Sequence, residues 1–202
     1  KNHGLVILVD WSQSMDAVMK DTIRQAVQMA MFCRMINIPF EVYSFSSVDQ
    51  ERRQSYWDGR DSDIHFSDAS TGEKICGTGL IMRNYLSSRM PKQKFFDACK
   101  RVAIMSETYG WNSNLSTRYN DRLGATPLDD AIWTVTNWLP KYRAENGIEL
   151  MNTLIISDGA TTSQPAQHHT VRDGFRYFRQ PKRSSTRTTE QALDVLRHKT
   201  GT

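Results

Sequence analysis

Cysteine is scarce in this chain: Cys33, Cys76 and Cys99 are odd in number, far apart and in no C-x-x-C pair. That spacing excludes a disulfide frame and reads as buried thiols of a reducing compartment. Long apolar runs are missing too, and none approaches the ~20 residues that cross a bilayer, so no membrane association is expected. No secretory n-region and h-region open the chain, and Lys1 is not an initiator methionine, so an excised fragment is expected. There is no G-x-x-x-x-G-K-[ST]; Gly77-Thr78-Gly79 lacks the lysine and reads as a turn, so the chain should not hydrolyse ATP itself. H-E-x-x-H is absent, and no Cys–His or G-x-S-x-G nucleophile arrangement stands out. His168-His169 has no third ligand nearby in sequence and reads as solvated.

What is present suits one domain spanning residues 1–202. At 39% hydrophobic content the chain can bury a core. It contains no internal repeat and no low-complexity tract. The charge is uneven: residues 168–202 carry a net +5, the remainder −1. Arg172, Arg176, Arg179, Lys182 and Arg183 interleave with Phe175, Tyr177 and Phe178. Such a segment could contact nucleic acid. A basic loop at about 160–188 that faces an acidic protein partner is the more ordinary reading, and nucleic acid is not expected.

The coarse order is strand, helix, strand, irregular region, helix, loop, helix, strand, basic loop, helix. Leu5-Val6-Ile7-Leu8-Val9 reads as a strand buried on both faces. Met19, Ile23, Ala26, Val27, Ala30 and Met31 trace one face of a helix ending near Asn37, and Phe40–Phe45 forms a second strand. Residues 46–90 read as an irregular insertion with a short strand at Ile64-His65-Phe66. Pro91 opens a helix with Phe95, Phe96, Cys99, Val102 and Ala103 on one face. A final helix, roughly Thr189 to Lys199, carries Ala192, Leu193, Val195 and Leu196, with Gly201 suited to its C-terminal cap. This alternation predicts an α/β fold: a doubly wound, mainly parallel sheet with helices on both faces.

Three segments carry candidate chemistry. The first strand ends in Asp10-Trp11-Ser12-Gln13-Ser14, a carboxylate followed by two hydroxyls at alternate positions. Open α/β sheets place ligands at that end of a strand. Oxygen donors of this kind suit a hard cation such as Mg²⁺. The second is Gly124-Ala125-Thr126-Pro127-Leu128-Asp129-Asp130. Pro127 fits a first helical turn, Asp129 and Asp130 complement its positive end, and Thr126 precedes it. Leu128, Ile132, Val135 and Leu139 mark the apolar face of that helix. The third, Thr153-Leu154-Ile155-Ile156-Ser157-Asp158-Gly159, is another buried strand ending in a carboxylate and a turn glycine. Taken singly, Ser12, Ser14 or Thr126 could be helix caps and Asp158-Gly159 a plain turn.

Together these segments resemble the von Willebrand factor A family and its metal-ion-dependent adhesion site. The resemblance implies that Ser12, Ser14 and Thr126 offer oxygens to Mg²⁺ or Mn²⁺, while Asp10 and Asp158 bind directly or through water. Val6–Met15, Asn37–Phe45 and Leu154–Ala160 are most similar to the domain at the C-terminus of a cobaltochelatase subunit, a type also encoded by tailed bacteriophages. A full domain of the family continues with a further strand and helix, so this chain is expected to lack its last strand and to leave Leu150–Ser157 as a sheet edge. On that resemblance the partner is an AAA+ ATPase that donates an acidic residue to the ion. The setting implied is the cytoplasm of a bacterial or phage-infected cell, and no catalysis is expected of the chain alone. The alternative is a structural or adhesion module, phage-borne and virion-associated, that grips an unrelated protein through the same site.

Overall fold

The aliphatic run from Leu5 to Val9 occupies the middle of a sheet. In the computed structural model, which describes residues 2–47, 80–110, 123–159 and 189–200, β1 (His3–Asp10) lies between two parallel neighbours. These are β2 (Phe40–Ser47), with Leu5 opposite Phe40, and β4 (Leu150–Ile156), with Ile7 opposite Leu154. A fourth strand, β3 (Leu80–Ser87), adds antiparallel to β2, giving the order β3-β2-β1-β4. The helices are α1 (Asp16–Met35), α2 (Lys92–Ser106), α3 (Leu128–Asn146) and α4 (Thr189–Thr200).

Continuous hydrophobicity in β1 follows from its having no solvent face. Val6 and Leu8 pack into a cluster with Ile132, Val135 and Leu139 of α3 and Leu196 of α4. Ile7 and Val9 pack on the other side with Met19 and Ile23 of α1 and Phe95 of α2. All four β1 side chains are essentially removed from water. Burying each contributes about 1.5–3 kcal/mol. The mixed sheet covered on two faces bears out the α/β expectation and the central place of β1.

Several expectations need correction. The insertion at 46–90 is not irregular throughout: β2 runs to Ser47, and Leu80–Ser87 is a strand. Leu80, Met82, Asn84 and Leu86 of β3 are buried, while Ile81, Arg83 and Tyr85 are half-buried, a period of two that marks one covered face. The helix faces are narrower than read. Met31 on α1 and Phe96 and Ala103 on α2 are exposed, whereas Thr22, Cys33 and Ala98 are buried. Helix α1 ends at Met35, near Asn37 as expected. In α3 the four named apolar residues are all buried, and Pro127 sits just before the first helical residue. Helix α4 buries Ala192 and Leu196 as expected, and Leu193 and Val195 only in part. Strand β4 lies at the edge of the sheet among the described residues. The strand read at 64–66, the basic loop at 160–188, Cys76 and Gly201 lie outside the described residues. No helix among the described residues is long and apolar enough to cross a membrane.

Helix α3 carries Pro140 in its interior. Proline has no N–H to donate four residues back, so the Thr136 carbonyl loses its helical partner. Lys199 of α4 donates its Nζ to that carbonyl at 3.4 Å. At the other end of α4, Thr189 Oγ1 donates to Asp129 Oδ1 at 2.7 Å. The two helices therefore lie side by side and run the same way.

Candidate metal centre

Where β1 ends, three pieces of chain are drawn together by backbone and serine hydroxyl hydrogen bonds. The Trp11 carbonyl accepts from Ser46 Oγ at 2.8 Å and from Gly124 N at 3.0 Å. Gln13 N donates to the Gly124 carbonyl at 2.9 Å, so Ser12 and Gly124 form a short parallel bridge. Ala125 N donates to Ser47 Oγ at 2.8 Å, and Ser47 N donates back to the Ala125 carbonyl at 3.2 Å. This clasp holds the loop before α3 against the ends of β1 and β2. Gly124 makes it possible, because a Cβ there would stand 2.6 Å from Ser46 Oγ and 2.8 Å from the Ser47 carbonyl.

The clasp places the expected ligands as follows. Asp10 is fully buried at the carboxyl end of β1. Its Oδ2 accepts a 2.6 Å hydrogen bond from Ser157 Oγ, while Oδ1 is buried with no hydrogen-bond partner. Ser12 is buried and sits at the N-cap position of a 3₁₀ turn, Gln13–Met15, yet its side chain makes no capping bond there. Its Oγ instead lies 3.0 Å from the Oγ of Ser14, which is exposed. Thr126, two residues beyond the bridge to Ser12, is buried, and Pro127 takes the N-cap position of α3. Asp158 follows β4 and is exposed. Its charge is near enough to act on Asp10. Burial pushes the Asp10 carboxyl above its usual range, the hydroxyls of Ser157 and Ser12 oppose that, and Asp158 reinforces it.

An orphaned carboxylate oxygen in a fully buried position costs free energy that a cation would relieve. The donors present fit a hard divalent ion: a buried carboxylate with one bare oxygen, a pair of serine hydroxyls, a buried threonine and a second carboxylate at the rim. Among the described residues no three His, Cys, Asp or Glu side chains gather, so hydroxyls would have to share the ligation. Such a set does not suit zinc or copper. Arg172, Arg176, Arg179, Lys182 and Arg183, expected to contact a partner, lie outside the described residues, as do His168 and His169.

Other residues of the site were not singled out from the sequence. Trp11 is buried and donates its indole N–H to Tyr109 Oη at 3.1 Å while stacking on Tyr85. Asp16 Oδ1 accepts from Gly110 N at 3.1 Å. These two bonds tie the segment after α2 to the strand-end loop. Ser157 went unnoticed because the S-D-G run reads as a carboxylate before a turn. Cys33 and Cys99 are buried, as expected; burial pushes the Cys33 thiol up and the Cys99 thiol to about 11, so neither is a nucleophile at neutral pH.

A second buried carboxylate lies at the opposite end of the sheet. Glu41, near the start of β2, is fully buried. It accepts from Asn84 Nδ2 at 2.6 Å, Ser87 Oγ at 2.8 Å and Arg89 Nε at 2.8 Å. Burial outweighs these donors and pushes its carboxyl up to about 7. Comparison with protein-family models, curated proteins and solved structures finds no match to this chain.

Proposed function

We propose that the chain is a Mg²⁺-dependent protein-docking module, with Asp10, Ser12, Ser14, Thr126 and Asp158 holding the ion. The observation that carries this reading is the fully buried Asp10 with a bare Oδ1, set beside the Ser12–Ser14 hydroxyl pair and the clasped loop that bears Thr126. When bound, the ion would neutralise the two carboxylates and leave a coordination position for an Asp or Glu of a partner. The protein groups contribute positioning: β1 and β4 supply the carboxylates from adjacent strand ends, and the Gly124 clasp brings the threonine loop to them. The proposed partner is an AAA+ ATPase, a choice that rests on the resemblance to the cobaltochelatase subunit. The positive residues between Arg172 and Arg183 would favour an acidic docking face.

Surface plasmon resonance against a candidate ATPase, in Mg²⁺ and in EDTA, tests the proposal. Binding is expected only with Mg²⁺ or Mn²⁺, and it should weaken by about tenfold or more in Ser12→Ala and Thr126→Ala. Affinity indifferent to EDTA would remove the metal site as the docking point.

A further inference from the structure

Resting on the metal reading above, we propose that Ser157 is the positioning residue of the centre: its hydroxyl fixes the Asp10 carboxylate so that Oδ1 alone faces the cation. Parallel pairing sets Val9 opposite Ile156, so Ser157 is the first residue past β4 and Asp10 the last of β1. There Ser157 Oγ donates to Asp10 Oδ2 at 2.6 Å and accepts from Gly159 N at 3.2 Å. A hydroxyl has one proton. With the Gly159 amide on its lone pair, that proton is committed to Asp10. Gly159 has φ +91°, a conformation that side-chain-bearing residues adopt only under strain, so the turn that returns the amide to Ser157 requires glycine.

The chain Gly159 N–H, Ser157 O–H, Asp10 carboxylate does two things. With the Ser12 hydroxyl, it fixes the plane of a carboxylate whose Oδ1 has no hydrogen-bond partner. It also couples the β1 ligand to the turn bearing Asp158, so both carboxylates keep one geometry. Without the hydroxyl, Oδ2 would lose its 2.6 Å bond, and the carboxylate would be freer to turn about its Cβ–Cγ bond. Ser157 is bonded on both sides and acts through Asp10, not on the ion. Outer partners of this kind typically set metal affinity by about 10- to 100-fold.

The test is a Mn²⁺ titration of the whole chain, followed by the electron paramagnetic resonance signal of free Mn²⁺ and by calorimetry. Wild type is compared with Ser157→Thr, Ser157→Val and Ser157→Ala, each checked for cooperative unfolding. Threonine keeps the hydroxyl and should bind within about threefold of wild type; valine has the same shape without it and should bind about tenfold or more weakly. Alanine repeats the comparison should valine disturb the fold. A merely structural role would make threonine and valine alike, and equal Mn²⁺ affinity in the two would overturn the proposal while leaving the metal site standing. No Mn²⁺ binding by wild type would overturn both.

Discussion

Replacing Glu41 by glutamine should stabilise the protein at alkaline pH and do little at acid pH. Glu41 is fully buried between β1 and β3, faced by Asn84, Ser87 and Arg89, with Tyr142 of α3 close enough for its phenol to feel the charge. Its carboxyl titrates near 7 in the folded chain against 4.5 for an ordinary glutamate. The folded state thus holds a proton that the unfolded state has released, and stability from this group is full below about 4.5 and lost as pH rises through 7. A gap of roughly 2.5 pH units corresponds to about 3 kcal/mol. Glutamine keeps the acceptor oxygen and cannot ionise, and Arg89, partly exposed, can turn to water. Urea unfolding of both proteins in EDTA should therefore show their stability difference moving by about 3 kcal/mol in favour of the variant between pH 4.5 and 8.5. A pH-independent difference, or a variant that loses ground as pH rises, would show that Arg89 holds Glu41 ionised and would refute the dominance of burial.

Three further outcomes are expected. Millimolar Mg²⁺ should raise the melting temperature of wild type, by a stabilisation of about 2.7 kcal/mol at a hundredfold excess over Kd, and Asp158→Ala should remove most of that shift; a scan with no shift in wild type counts against the site. Gly124→Ala puts a methyl group 2.6 Å from Ser46 Oγ and 2.8 Å from the Ser47 carbonyl. It should destabilise by about 1–3 kcal/mol and weaken Mn²⁺ binding in the same titration, since the clasp must open. Leu8→Ala, in a fully buried position of β1, should cost about 2–5 kcal/mol in chemical denaturation without changing the slope of the transition.

How far the fold could be read from the residues depended on how plainly each element shows its environment. Five aliphatics in a row can hardly be anything but an inner strand, and β1 is one. Strand β3 hid because Arg83 and Asn84 interrupt its apolar pattern; Asn84 is buried because it serves Glu41, a pairing across 43 positions that no local pattern reveals. Helical periodicity located the buried stripe of α1 and α2 but not its edges, hence Met31 and Phe96 inside the reading and outside the core. At the site, the strand-end carboxylates and hydroxyls were legible as candidate ligands. What supports them was not: the Gly124 approach depends on where β2 ends, and the Ser157 bond on the register of β4 against β1.

Pro140 makes α3 a fractured rod, and α4 is its splint. The missing amide leaves the Thr136 carbonyl open, and the side chain that closes it belongs to Lys199 at the far end of a separate helix. Arg143, one turn beyond the proline, donates to the Lys199 carbonyl at 2.6 Å and to the Glu149 carbonyl at 2.8 Å, so the repair is braced from below and carried into the start of β4. The top of the same rod begins two residues after Thr126, where Thr189 fastens to Asp129. Peeling α4 away would reopen the break and unfasten the rod at its upper end, beside the threonine loop. A ligand that dislodges the last helix would therefore be felt at the strand ends without touching them.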